Sequence, residues 1–161
     1  MKIQVWFIAI SLLATLYYSP VNSEEAKFLA PEGWHLTETD KLPPHVEFMV
    51  VGEGKLEFPP SMNLSTESYQ GSLQDYIEIV KRINKKHGSQ FKDLGKIKTD
   101  AGEGSLSQVD SISKWGPVRM MHVILVKDGR VYILTAAALK NEFASHYKEF
   151  FNSFRSFKIT E

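Results

Sequence analysis

The sequence predicts an α+β fold, an α/β/α sandwich in which two helices cover the two faces of a mainly antiparallel sheet. Three observations carry this expectation. Val118 to Val126 and Val131 to Leu139 are apolar on both parities, as central strands covered on two sides require, and Asp128-Gly129 between them is a strong hairpin signal. A helical stripe of Leu73, Tyr76, Ile77, Val80 and Ile83 interrupts the strands. A second stripe, Phe143, Tyr147, Phe150, Phe151 and Phe154, closes the chain.

At the N-terminus, Lys2 is followed by an apolar run from Ile3 to Tyr18 and then by Ser19-Pro20-Val21-Asn22-Ser23. That is the layout of a secretory signal peptide. Val21 and Ser23 are small enough for the positions three and one before the cut, so residues 1–23 are expected to be cleaved. Glu24 to Glu161 would then be a single domain. The apolar run includes Gln4, Ser11 and Thr15 and is shorter than the roughly 20 residues a membrane span needs, so no transmembrane segment is expected in the mature chain.

Pro31-Glu32-Gly33-Trp34 reads as a turn into a short strand. From His45 to Val51 the chain alternates, with Val46, Phe48 and Val50 on one face. Gly52-Glu53-Gly54 and Pro59-Pro60 bracket a loop before a strand over Met62 to Glu67. Ser72 and Asp75 have the spacing of a capping box at the start of the first helix, and Gly88 is its expected stop. Strands follow at Phe91–Lys98 and Gly104–Ser113. Leu106, Val109 and Ile112 do not share one parity, so the second of these is expected to carry a bulge or to split into two pieces. Trp115-Gly116-Pro117 is a turn, the hairpin around Asp128-Gly129 comes next, and the last helix spans about Asn141 to Arg155. Ala136, Ala137 and Ala138 are small enough to let a helix lie close to the sheet.

Composition narrows the function. In 161 residues, 43% are hydrophobic and 24% charged, the balance of a folded protein. Nineteen Lys and Arg cancel nineteen Asp and Glu, leaving no global basic field for a nucleic acid, which is not expected as a partner. With no cysteine there is no disulfide, no thiolate metal site, no thiol nucleophile and no lipid-modified N-terminal Cys. Export without cysteine fits a bacterial envelope, so the chain is expected in the periplasm or secreted.

Motifs for chemistry are missing. Neither Gly-Glu-Gly segment continues as a phosphate-binding loop, and no GxSxG elbow or HExxH helix occurs. His45 with Glu47, and His146 with Glu142 or Glu149, are half-sites at most, with the spacing of solvated surface residues. His122 lies in a two-sided apolar strand and reads as a hydrogen-bonded core or rim histidine. Lys81, Arg82, Lys85 and Lys86 complement the negative end of the first helix. No catalytic residue, cofactor or metal is expected. Trp115 stands at a turn, where core packing is not guaranteed, with Lys114 before it and Arg119 soon after. Lys114, Trp115 and Arg119 are therefore the candidate partner-binding residues.

Several segments, in order, resemble the PsbP-like superfamily. They are Pro31-Glu32-Gly33-Trp34, Pro60-Ser61-Met62-Asn63-Leu64, Ser72-Leu73-Gln74-Asp75-Tyr76, Gly129 to Ala136, and the Phe143, Tyr147, Phe150, Ser153-Phe154 spacing. The likeness runs from about Phe28 to Phe157. It implies an α/β/α sandwich, the layering reached above, and a binding, assembly or chaperone-like role without catalytic residues. The resulting expectation is an exported, non-enzymatic binding or assembly module that contacts an envelope protein. The competing expectation is a carrier that holds a lipid or other apolar molecule between sheet and helix.

Overall fold

The computed structural model describes residues 19–22, 26–54 and 58–160. In chain order they form β1 (Ser19–Asn22), β2 (Ala26–Ala30), β3 (His35–Leu36), β4 (Val46–Val51), β5 (Ser61–Ser68) and α1 (Leu73–Lys86). These are followed by β6 (Gln90–Thr99), β7 (Gly102–Ser113), β8 (Gly116–Lys127), β9 (Arg130–Leu139), α2 (Phe143–Arg155) and β10 (Lys158–Ile159). The main sheet has the order β3-β4-β5-β9-β8-β7-β6, antiparallel throughout, and a small second sheet has the order β1-β2-β10. This is the α+β sandwich that the sequence predicts.

Local chemistry explains the boundaries. Ser72 Oγ accepts the Asp75 N–H at 3.1 Å and the Asp75 carboxylate turns back to the Ser72 N–H, so the capping box forms and α1 starts where it should. Gly88, at φ 70, takes the left-handed conformation that ends the helix. Asp128 at φ 50 and Gly129 at φ 73 build the tight turn between β8 and β9.

The two-sided strands divide their side chains between two apolar clusters. Met121, Val123 and Leu125 of β8 and Tyr132, Leu134, Ala136 and Ala138 of β9 join Phe143, Phe150 and Phe154 of α2. Ile124 and Val126 of β8, with Val131 and Ile133 of β9, meet Tyr76, Ile77 and Val80 of α1. Ala136 and Ala138 are fully buried, which lets α2 approach the sheet closely. Phe150, Phe154 and Phe157 are also fully buried, each worth about 2–3 kcal/mol of hydrophobic stabilisation.

Two strand details differ from expectation. β7 runs unbroken, because Leu106 belongs to the α2 side and Val109, one parity away, to the opposite face of a sheet covered on both sides. The irregularity sits in its neighbour: the β6 register shifts between Asp93 and Gly95, leaving Leu94 as the extra residue. In β4, His45 stands outside the strand at φ 67, and a register shift between Val46 and Phe48 separates the half-buried Val46 from the buried Phe48 and Val50.

β2 and β10 lack a strong sequence signal and were not anticipated. Ala26, Phe28 and Ala30 bury one face of β2 in the α2-side core, and Lys158 and Ile159 pair along it. β1 pairs with the other edge of β2, Ser19 opposite Ala30 and Asn22 opposite Lys27. The apolar run Ile3 to Tyr18 lies outside the described residues.

Candidate functional site

The turn from β7 to β8 is held by its own backbone and one hydroxyl. Ser113 Oγ accepts the Trp115 N–H at 3.1 Å and donates to the Gly116 carbonyl at 2.9 Å, while Gly116 adopts φ 111. This geometry leaves Trp115 at the tip, 41% exposed. Lys114 Nζ lies 4.3 Å from the centre of the Trp115 ring, a cation–π contact. Phe58, half-buried in the loop between β4 and β5, packs against the same indole with ring centres 5.4 Å apart. Ile112, at the end of β7, is 79% exposed. The result is an apolar, partly cationic tip at one end of the sheet.

Of the three residues that the sequence singles out, Lys114 and Trp115 come together and Arg119 does not join them. The Arg119 Nε and Nη2 groups each donate to Asp110 on the neighbouring strand, both at 2.8 Å. Lys140 Nζ reaches the same carboxylate at 2.8 Å, and Gln108 Nε2 donates to it at 3.2 Å. Arg119 also lies 6.0 Å from the centre of the Phe143 ring. The Arg119 hydrogen bonds hold the Asp110 carboxyl well below the usual carboxylate range; burial opposes this, and Lys140 adds to it. Asp110 in turn raises the Arg119 guanidinium. Phe58, by contrast, was missed. Its only local mark is its place before Pro59-Pro60, and the contact joins residues 57 positions apart in the chain.

The possible chemical sites remain incomplete. His122 pairs across the sheet with Ser107 on β7 and Thr135 on β9, and its Nδ1 lies 3.0 Å from Thr135 Oγ1. Burial lowers its pKa to about 4, so the ring is neutral at neutral pH. Ser107 Oγ is buried without a hydrogen-bond partner, so Ser107 and His122 lack the bond by which an imidazole activates a serine. Glu47 accepts from Thr66 Oγ1 at 2.6 Å, and His146 is 3.1 Å from Glu149 while packing edge-on to Trp34. Among the described residues no three His, Asp or Glu side chains converge as metal ligands would.

A cleft does open between α1 and the β6–β7 hairpin. It measures about 270 Å³, with Leu73 and Ile77 on one side and Asp93, Lys96 and Glu103 on the other. This is below the roughly 300–1,000 Å³ of pockets that enclose drug-sized ligands. Among the described residues no helix is long and apolar enough to cross a membrane.

The fold is PsbP-like. It is similar to that of a cyanobacterial PsbP from Synechocystis sp. PCC 6803, with a TM-score of 0.63 and 10% identity over 92% of this chain and 95% of that one. It is also similar to LpqN of Mycobacterium tuberculosis, a protein involved in cell envelope biogenesis, with a TM-score of 0.61 and 16% identity over 90% and 91% of the two chains. The Saccharomyces cerevisiae Ran-binding protein Mog1p gives a TM-score of 0.60 and 14% identity over 90% and 96%. No protein-family model matches the chain, and no curated protein does.

Proposed function

We propose that the chain is an exported, non-enzymatic binding or assembly module of the bacterial envelope, working by contact with another protein through the Trp115 tip. The observation that carries this reading is the 41% exposed Trp115, held out by its turn and flanked by Lys114 and Phe58. A large, rigid aromatic with a cation beside it is the type of anchor that dominates protein interfaces. The likeness in fold to an envelope-biogenesis protein and to a Ran-binding protein supports a binding role by analogy. Residues 1–23 act in this reading as the export signal and are removed after Ser23.

The test is affinity capture of the tagged protein from its native envelope fraction, with mass spectrometry of proteins, lipids and the mature N-terminus. A stoichiometric protein partner and an N-terminus at Glu24 are expected. Bound lipid without a protein would instead favour the carrier reading, for which the cleft beneath α1 and the larger hollow between β6 and α2 offer space.

A further inference from the structure

Strand β6 forms one margin of the main sheet, so among the described residues one side of its backbone has no strand neighbour. Along a strand, the N–H and C=O groups of alternate residues point to the same side. The N–H of Asp100, just past the end of β6, donates to the Arg155 carbonyl at the end of α2, at 3.0 Å. Lys98 and Lys96 precede Asp100 by two and four residues, so their N–H and C=O groups continue the row that Arg155 begins to pair. The shift at Leu94 ends the regular row on the other side.

A hollow of about 520 Å³ lies beside this row. It is lined by Lys96 to Asp100 along β6, by Leu106 of β7, and by Phe151 and Arg155 of α2, the Arg155 guanidinium lying 5.5 Å from the centre of the Phe151 ring. Lys96 is paired with Glu103 at 2.6 Å, whereas Lys98 and Arg155 form no ion pair among the described residues. Lysines on an edge strand ordinarily guard it against pairing with other chains. That explanation leaves out the hollow beside the edge, floored by Ile97, Leu106 and Phe151, and the carbonyl that already pairs with one end of the row.

The geometry points to strand addition on β6: an extended segment of a partner protein pairs with Lys96 and Lys98, sets carboxylates on the exposed face that carries Lys98, and places apolar side chains on the opposite face, over the hollow that Ile97, Leu106 and Phe151 line. This surface shares no residue with the Trp115 tip, so either assignment can fail without the other.

The probe is a fluorescein-labelled peptide of alternating glutamate and valine, about eight residues long. A lysine–valine peptide and an N-methylated glutamate–valine peptide serve as controls. Fluorescence anisotropy is expected to show saturable binding of the acidic peptide, about tenfold weaker for the basic one, and none for the N-methylated one. Amide exchange at Lys96 and Lys98 is expected to slow when the acidic peptide binds. Lys98→Pro removes an edge N–H at a site where proline is tolerated and is expected to abolish binding, while Lys98→Ala weakens it only a few-fold. Should Lys98→Pro fail to fold, the exchange measurement on the wild-type chain decides the matter: slowing at Lys96 and Lys98 with the acidic peptide, and none with the N-methylated one, supports the pairing. Equal affinity for acidic and basic peptides, unchanged exchange at Lys96 and Lys98, or an edge already occupied by a second copy of the chain would overturn the proposal.

Discussion

Asp110 and Arg119 face each other across β7 and β8, joined by two parallel hydrogen bonds of 2.8 Å, and Lys140 adds a third cationic contact to the same carboxylate. The Asp110 side chain is only 13% exposed, so the pair is screened far less than a surface salt bridge. Asp110→Ala leaves two cations facing each other without their anion. It is expected to lower stability by about 2–4 kcal/mol in urea unfolding at neutral pH. A change below about 0.5 kcal/mol would mean that solvent already satisfies these cations.

The same pair sets the acid limb of stability. Asp110 gives up its proton near pH 3.8 when unfolded and at lower pH when folded. Its stabilisation is therefore complete above pH 3.8 and is lost as the pH falls below it. Asp110→Asn is expected to flatten the stability curve in that range. An unchanged slope would assign the acid sensitivity to other carboxylates.

His122 acts in a separate window. Its imidazole takes up a proton near pH 6.5 when unfolded and only near pH 4 in the fold. The stability this site contributes is complete above pH 6.5 and is lost as the pH falls from 6.5 to about 4, on the order of 2 kcal/mol for a ring that keeps some contact with solvent. His122→Gln keeps a polar partner for Thr135 and is expected to remove this slope. Imidazole titration by NMR gives the pKa directly, and a value near 6.5 would show that burial does not act on the ring.

Ser72→Ala deletes the hydroxyl of the capping box and frees the Asp75 N–H. It is expected to cost about 1 kcal/mol, read in thermal unfolding. Ser72→Asp, which can accept the same N–H, should restore most of it.

The chain from Glu24 onward lacks β1 and is expected to fold all the same. The anchors of β2 are Ala26, Phe28 and Ala30, buried in the core, together with the pairing of Lys27 and Ala26 to β10. Phe28→Ala in that shortened chain should cost about 3–5 kcal/mol. If the shortened chain loses its cooperative urea transition, β1 is part of the folded unit and the cleavage reading fails.

The sequence was most legible where signals are local. Ser72 with Asp75 and Asp128 with Gly129 each set a boundary through atoms a few residues apart, and both boundaries appear as expected. The two-sided runs in β8 and β9 revealed a sheet covered on both faces. β2 was hidden because two of its three buried residues are alanines, too small to mark an apolar face, and β10 because two residues carry no period. At the candidate site, Trp115 and Lys114 could be read from one turn. The Phe58 contact and the Asp110 bond that takes Arg119 away from the tip depend on strand register, which composition does not display.

The most direct measurement is a quantitative comparison of partner recovery by the tagged wild-type protein, by Trp115→Ala, and by Leu36→Ala, which removes a 63% exposed aliphatic residue elsewhere on the surface. Loss of an interface anchor is worth about 2 kcal/mol or more, so Trp115→Ala is expected to weaken recovery by more than about tenfold while Leu36→Ala matches wild type. Full recovery by Trp115→Ala, with its fold intact, would contradict the assignment of the Trp115 tip as the contact surface.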